Sequence, residues 1–392
     1  MDKEFGLVLA GGGTKGAYEV GVWKALKELN INITAIAGTS IGALNAALIL
    51  QDDFEKMVDL YKTIEFDNII SMDKKIDKTK NIFNIKNLGI LAAEYIEKGG
   101  LENNALRDTV NKYIDVDKIY NSKINFGLVT SSIKGESQEL FKADIPKEKM
   151  VDYLLATACF PIFKAQKIDN VEYYDGGLHD NIPINLLIKK GYKNIIVVDV
   201  TGIGIKRKTI DKNVYIKMIR ADEDLGGTFE FNHEKIEKNM KLGYLDTLRA
   251  FNNVQGHYYY FSSEEFNLFL ENFNLKTIYG LECAAKIYNM ERYKKYKYED
   301  FIKELLEKHN KSMKEYNLVK GRMEVSKLIK YYKETTKMLN KGLGIPLLMD
   351  LTATQPSLRN SKFIKRTFSE YLEAADAMVE LVKWKVKCNS VK

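Results

Sequence analysis

The sequence predicts an α/β chain with a helical C-terminal region. Three observations carry this. Short apolar runs at 5–10, 33–36 and 194–200, the last two largely β-branched, read as buried strands. The first two lead through glycine-bearing turns straight into segments of helical pattern, the alternation expected of an α/β sheet. After Arg220 prolines are absent until Pro346, and long amphipathic stretches rich in Lys, Glu and Tyr dominate, as at 293–316.

Residues 5–10 form the first strand. The turn Gly11-Gly12-Gly13-Thr14-Lys15-Gly16 follows, and 17–29 reads as a helix because Tyr18, Val22, Ala25, Leu26 and Leu29 share one face. Such a turn aims several backbone N–H groups outward at a helix N-terminus, a ready anion site. Two chemistries fit it. Gly11, Gly13 and Gly16 match the G-x-G-x-x-G of a dinucleotide phosphate turn, which wants an acidic residue about 20 residues further on, at the end of the second strand. That place is taken here by Ala37-Gly38-Thr39-Ser40, which argues against a dinucleotide. In the other reading the amides of Gly11, Gly12 and Gly13 form an oxyanion hole, the donors that acyl transfer needs as charge develops on the carbonyl oxygen.

The second strand, 33–36, runs into Ala37-Gly38-Thr39-Ser40-Ile41-Gly42-Ala43, and 43–50 is rich in strong helix formers. Ser40 therefore stands where a strand turns sharply into a helix, with Gly38 and Gly42 spaced as G-x-S-x-G. A nucleophile elbow needs such glycines because the turn is strained and crowded. The helix start aims its positive dipole end at the serine. The plainer reading is a small-residue turn with a serine N-cap.

From 51 to 121 the chain is polar, rich in Lys and Ile, and reads as a helical excursion over the sheet or a lid, with 101–113 its clearest helix. Strands are expected at 124–130 and 138–142, and a helix at 147–158 that Pro161 stops. Cys159 reads as a small buried hydrophobe. The strand 171–174 ends in Asp175-Gly176-Gly177, so Asp175, like Ser40, leaves a sheet strand on a loop. Pro183 suits the first turn of a short helix before the strand at 194–200, and 214–219 reads as the last strand. The domain boundary is expected at 220: residues 1–220 as the catalytic α/β domain, and 221–392 as a helical region packed on the sheet or capping its site.

Composition narrows the function classes. A chain of 392 residues with 45% apolar content can bury a sizeable core. A net charge of +7 permits attraction to anionic lipid without demanding it, and no compact Arg-rich stripe or nucleic-acid motif appears. Cys159, Cys283 and Cys388 are odd in number and far apart, which argues for a reducing compartment, and four scattered histidines offer no metal-ligand spacing. No leader is read at Met1-Asp2-Lys3-Glu4 and no run of about 18 apolar residues occurs, so a cytoplasmic location is expected.

Three motifs now stand in order: Gly11-Gly12-Gly13-Thr14-Lys15-Gly16, Gly38-Thr39-Ser40-Ile41-Gly42 and Asp175-Gly176-Gly177. Together they resemble the patatin-like phospholipase family over residues 5–200. The stretch 40–47 looks like that family's nucleophile block, and 156–163 like the block ahead of its acidic motif. The resemblance implies a three-layer, mostly parallel sheet between helices and hydrolysis of lipid acyl esters by a Ser–Asp dyad. Carried onto this chain, Ser40 is the nucleophile, Asp175 the general base, and Gly11, Gly12 and Gly13 the oxyanion donors. No cofactor or metal is implied. The implied partners are a phospholipid, lysophospholipid or other lipid ester and peripheral contact with a membrane or micelle, without nucleic acid; oligomeric state is left open. Lys15 stands where the family more often has Arg, a swap that matters only if the side chain meets a phosphate.

Read from the residues alone, a serine also needs a base within about 2.6–3.2 Å, and histidine commonly serves. His179 follows Asp175 by four residues, so a Ser40–His179–Asp175 triad stands as the alternative. A non-catalytic lipid- or anion-binding protein of the same fold is a further alternative.

Overall fold

The computed structural model describes residues 3–71, 87, 90, 95–97, 99–133, 136–320 and 342–390. The chain divides into two compact units, Met1–Ala250 and Phe251–Lys392.

The first unit is built on an eight-stranded sheet: β1 (Phe5–Leu9), β2 (Ile33–Gly38), β3 (Asn125–Ser132), β4 (Gln138–Phe141), β5 (Gln166–Ile168), β6 (Val171–Asp175), β7 (Asn194–Asp199) and β8 (Tyr215–Arg220). Across the sheet they run β5-β6-β3-β2-β1-β7-β8, with β4 paired to β3. Strands β3, β2, β1, β7 and β8 are parallel; β4, β5 and β6 add antiparallel pairings on the β3 side. The sheet is thus mostly parallel, as expected.

Helices flank it: α1 (Ala17–Glu28), α2 (Ile41–Leu50), α3 (Phe54–Thr63), α4 (Asn104–Tyr113), α5 (Val116–Asn121), α6 (Met150–Thr157), α7 (Ile184–Lys189) and α8 (His233–Ala250). Both faces are covered. Successive side chains of a strand point to opposite faces, and in β1 Phe5, Leu7, Val8 and Leu9 are all buried. Burying Leu7, Val8 and Leu9 is worth roughly 5–9 kcal/mol before chain entropy is counted. That fixes the strand end from which the glycine-rich turn departs.

Register brings the strand ends that matter to one edge. Leu9 pairs with Gly38 and Val198, Gly38 pairs with Leu128, and Thr130 pairs with Asp175. The carboxyl ends of β1, β2, β6 and β7 therefore meet along the same margin, where ligands bind in open α/β sheets.

The boundary between units falls at 250 rather than the expected 220. The cause is α8, which lies directly on α1. A Cβ on Gly21 would strike the Met240 carbonyl, and one on Gly243 would strike the Tyr18 carbonyl, so two glycines let the helix backbones touch. The Tyr18 hydroxyl donates to Asp246 at 2.7 Å across this contact. Of the 51–121 excursion, α3, α4 and α5 are helical as expected; most of 72–98 lies outside the described residues.

The second unit is helical, with α9 (Ser263–Asn272), α10 (Leu275–Ile287), α11 (Tyr298–Lys320), α12 (Gly344–Thr354), α13 (Lys362–Thr367) and α14 (Ser369–Ser390), and one pair of two-residue strands, Tyr260–Phe261 and Lys295–Tyr296. Its core is aromatic: Phe301 makes edge-to-face contacts with Tyr259, Phe261, Phe269 and Tyr296. Buried Glu282 accepts the N–H groups of His257, Tyr258 and Tyr259, which satisfies its carboxyl oxygens inside an apolar core. Among the described residues no helix is long and apolar enough to cross a membrane.

Candidate active site

Ser40 occupies a sharp turn between β2 and α2. Its backbone has φ 55° and ψ −126°, a conformation that side-chain-bearing residues rarely hold and that costs on the order of 1–3 kcal/mol. The turn closes only because its neighbours lack side chains: a Cβ on Gly38 would lie 2.5 Å from the Ala43 nitrogen, and one on Gly42 would strike the Leu9 carbonyl. The strain is held by bonds from outside. Ser40 N–H donates to Thr157 Oγ1 at 3.0 Å, and Thr39 Oγ1 donates to the Asp180 carbonyl at 2.8 Å. Thr157 and Thr39 are fully buried, so these bonds exchange little with water. The Ser40 side chain is thereby fixed at the N-terminus of α2, where the Ile41 N–H has no acceptor among the described residues.

Asp175 arrives from the other side of β3. It ends β6, its N–H donates to the Cys159 carbonyl at 2.7 Å, and its Oδ1 accepts the Gly177 N–H at 2.8 Å. The Ser40 hydroxyl lies near enough to stabilise its charged form. Burial pushes the Asp175 carboxyl up to about 6, against the downward pull of Ser40 and Gly177. At neutral pH it is a carboxylate, and a pKa of about 6 lies near enough to neutrality for it to exchange a proton readily. The turn that follows is again glycine-dependent, since a Cβ on Gly176 would strike the Val129 carbonyl.

The glycine-rich turn after β1 lies against both residues. Gly13 has φ +61°, and a Cβ there would strike the Thr228 carbonyl. Gly12 packs on Val200. Among the described residues neither the Gly12 nor the Gly13 N–H has an acceptor, so both can serve a developing oxyanion. Gly11 departs from expectation. Its N–H is already given to the Asn181 carbonyl at 3.2 Å, and its carbonyl accepts Asn181 Nδ2 at 3.1 Å. Its lack of a side chain serves close packing, because a Cβ would strike Asn181 Oδ1 and approach Ser40 Cβ to 3.2 Å. Asn181, to which the sequence assigned no role, thus clamps the turn to the Asp175 loop. Lys15 turns toward β7, donating to the Thr201 carbonyl at 3.2 Å, so its ammonium steadies the turn.

His179 does not join Ser40. Its Nε2 lies 3.3 Å from Glu139 Oε1 and its Nδ1 3.0 Å from an Arg207 guanidinium nitrogen. Burial, with Arg207 nearby, holds its pKa below the ordinary histidine value despite Glu139. Both ring nitrogens are engaged away from the serine, and the Ser40–His179–Asp175 triad is not assembled. Among the described residues no group of three His, Cys, Asp or Glu side chains gathers as a metal-binding cluster. Cys159 is buried, with its thiol pushed up to about 12 by burial, and is inert at neutral pH.

Ser40, Asp175 and Gly13 open onto a cleft of about 660 Å³. Its walls are otherwise almost wholly apolar, with Leu44, Leu60, Leu106, Phe160, Phe229 and Phe231 among them. Phe160 and Phe229 meet edge to face at 5.5 Å between ring centroids. An apolar slot with a few converging polar groups at one end suits a ligand that is mostly hydrocarbon with one polar reacting group. Phe229 and Phe231 escaped sequence reasoning because they lie beyond the last strand, in a segment read as part of the C-terminal region. Their aromatic spacing, Phe-Glu-Phe, offered no signal that distinguishes a cleft wall from ordinary core.

The model of the patatin-like phospholipase family matches residues 7–188, the stretch that holds Ser40, Asp175 and the glycine-rich turn. Residues 7–188 are a patatin-like phospholipase domain. Lysophospholipase nte1 of Aspergillus terreus is 56% identical over 50 residues, 13% of this chain and 3% of that protein. Lysophospholipase NTE1 of Candida albicans is 27% identical over 206 residues, 50% of this chain and 13% of that protein. The chain therefore spans only a small fraction of the length of the curated relatives it matches. Among solved structures, VipD from Legionella pneumophila aligns over 97% of this chain and 91% of its own at 14% identity, with a TM-score of 0.37, too low to bear on fold or function.

Proposed function

We propose that this chain is a serine lipid acyl hydrolase of phospholipase A or lysophospholipase type, acting through a Ser40–Asp175 dyad. The observation that carries the reading is the strained Ser40 elbow held against a buried carboxylate at the end of an apolar cleft. The patatin-like domain over residues 7–188 and relatives named as lysophospholipases support it.

The chemistry follows from the groups present. An acyl chain lies in the cleft with its ester carbonyl at Ser40. Ser40 Oγ attacks the carbonyl carbon and its proton passes to Asp175. The carbonyl oxygen becomes an oxyanion facing the Gly12 and Gly13 N–H groups, each such donor being worth about 10²–10³ in rate. Collapse of this intermediate breaks the ester C–O bond, and Asp175 returns the proton to the departing alcohol. The acyl group is then esterified to Ser40. Water attacks it, giving its proton to Asp175; collapse frees the fatty acid and the proton returns to Ser40 Oγ. No metal or organic cofactor enters these steps. The expected setting is the cytoplasm, at the surface of a membrane or micelle where such substrates reside.

Fatty-acid release from mixed phospholipid vesicles tests the reading. The wild-type chain is expected to release fatty acid, and Ser40→Ala and Asp175→Asn to release none while keeping the wild-type circular dichroism. Robust turnover by either variant overturns the assignment.

A further inference from the structure

After β7 the chain runs through Thr201-Gly202-Ile203-Gly204-Ile205-Lys206-Arg207-Lys208-Thr209-Ile210. These ten residues hold three isoleucines and three cations, with no carboxylate and no aromatic ring. The isoleucines face solvent: Ile203 is 80% exposed, Ile205 55% and Ile210 61%. Aliphatic side chains left in water in such number within one loop usually mark an interaction surface.

The backbone of this loop is anything but slack. Gly202 lies so close to the glycine-rich turn that a Cβ would strike the Gly11 carbonyl, and Gly204 packs on the Gly177 carbonyl and Asn181. Ile205 N–H donates to the Gly177 carbonyl at 2.8 Å, and its carbonyl accepts the Asn181 N–H at 2.6 Å. Asn185 closes the far end, donating to the Lys208 carbonyl at 2.9 Å and accepting the Ile210 N–H at 3.0 Å. The loop is a strap bonded to the oxyanion turn on one side and the Asp175 turn on the other, with its apolar side chains turned outward. Preorganised presentation lowers the entropy lost on binding.

We propose that residues 201–210 are a membrane-docking strap that seats the catalytic edge of the sheet on an anionic lipid bilayer. Ile203 and Ile205 enter the acyl region while Arg207 and Lys208 meet lipid phosphates. Lys206 contributes less, because Asp199 pairs with it at 2.8 Å. A bilayer suits the strap better than a protein partner does. Protein interfaces centre on packed aromatic anchors, whereas these ten residues offer separate aliphatic tips and cations and carry no acid of their own. Topology adds the position: the strap leaves β7 at the same margin where Ser40 follows β2 and Asp175 ends β6. The choice of a lipid occupant rests on the acyl hydrolase reading, but docking is measured apart from turnover.

The test is co-sedimentation of the full chain carrying Ser40→Ala with phosphatidylcholine vesicles, with and without a quarter of phosphatidylglycerol. The expected result is binding that strengthens with phosphatidylglycerol. The added pair Ile203→Ser/Ile205→Ser weakens it at least roughly tenfold, and Lys208→Ala weakens it about fivefold. In the Ser40-intact chain, those strap variants leave hydrolysis of a soluble short-chain ester unchanged. Absence of vesicle binding, or binding indifferent to the isoleucine pair, overturns the proposal. So does a dimer in light scattering that the isoleucine pair dissolves while vesicles stay unbound, since a second copy then covers the strap. Strap-dependent vesicle binding without any fatty-acid release leaves docking standing and removes the hydrolase reading instead.

Discussion

Asp175→Asn separates the two things that the buried carboxylate does. The carboxyl is 6% exposed, and burial raises its pKa from an ordinary 3.8 to about 6. The folded chain therefore keeps a proton that the unfolded chain releases between those values, and its stability falls as pH rises from 3.8 to 6. Above 6 the deficit is complete. The rise from 3.8 to about 6 corresponds to about 3 kcal/mol of stability lost when the buried carboxyl ionises. Asparagine keeps an oxygen to accept the Gly177 N–H and carries no charge. At pH 8 the variant should melt higher than wild type by about 4–6 °C. At pH 4 the two should nearly coincide. Loss of the proton acceptor should lower kcat by at least about 10²–10⁴-fold. For the wild type, kcat/KM should rise through an apparent pKa of about 6, because only the carboxylate can take the Ser40 proton. The assays are thermal melts across pH and fatty-acid release at each pH. A variant no more stable than wild type at pH 8, or one still turning over, refutes the reasoning.

Four further outcomes follow from the same geometry. His179→Ala should keep vesicle hydrolysis within about threefold of wild type, since its ring nitrogens face Glu139 and Arg207; a loss matching that of Asp175→Asn would restore the triad. Gly13→Ala should cost about 10²–10³ in kcat, because a Cβ cannot coexist with the Thr228 carbonyl and one oxyanion donor moves away; unchanged kcat would exclude Gly13 from that role. Phe229→Ala should lower kcat/KM for long-chain esters while sparing short-chain ones, read from a chain-length series, because its ring walls the cleft beside Phe160. Glu19 is wholly buried, donated to by Asn45 at 2.7 Å, and burial lifts its pKa to about 8. Folding then loses about 1.4 kcal/mol for each pH unit between 4.5 and 8, so Glu19→Gln should melt above wild type by a margin that widens from pH 5 to pH 8; a constant margin would show that Glu19 is ionised in the fold.

What the sequence reveals and what it conceals divide along a physical line. The Ser40 elbow is legible because its backbone admits nothing larger than hydrogen at Gly38 and Gly42, and Asp175 is legible because an acid before two glycines marks a strand end. Such constraints act within a few residues, so they leave a local pattern. Gly11 shows where this stops. Its glycine is as necessary as that of Gly13, yet the neighbour that makes it so is Asn181, 170 residues away, which also takes its N–H. Three consecutive glycines look alike in sequence; only their partners sort two available donors from one already engaged. The extent of the compact sheet unit is concealed for the same reason. Nothing local in α8 announces that Gly243 faces Tyr18, so a helix belonging to the sheet unit reads as the start of the C-terminal region. Phe229 and Phe231 are harder still, because any large apolar residue could wall that cleft. Backbone geometry that only one residue type tolerates is therefore readable, whereas packing that several types would satisfy is not. The candidate catalytic residues, held by the first kind, emerge before the apolar walls of the cleft beside them.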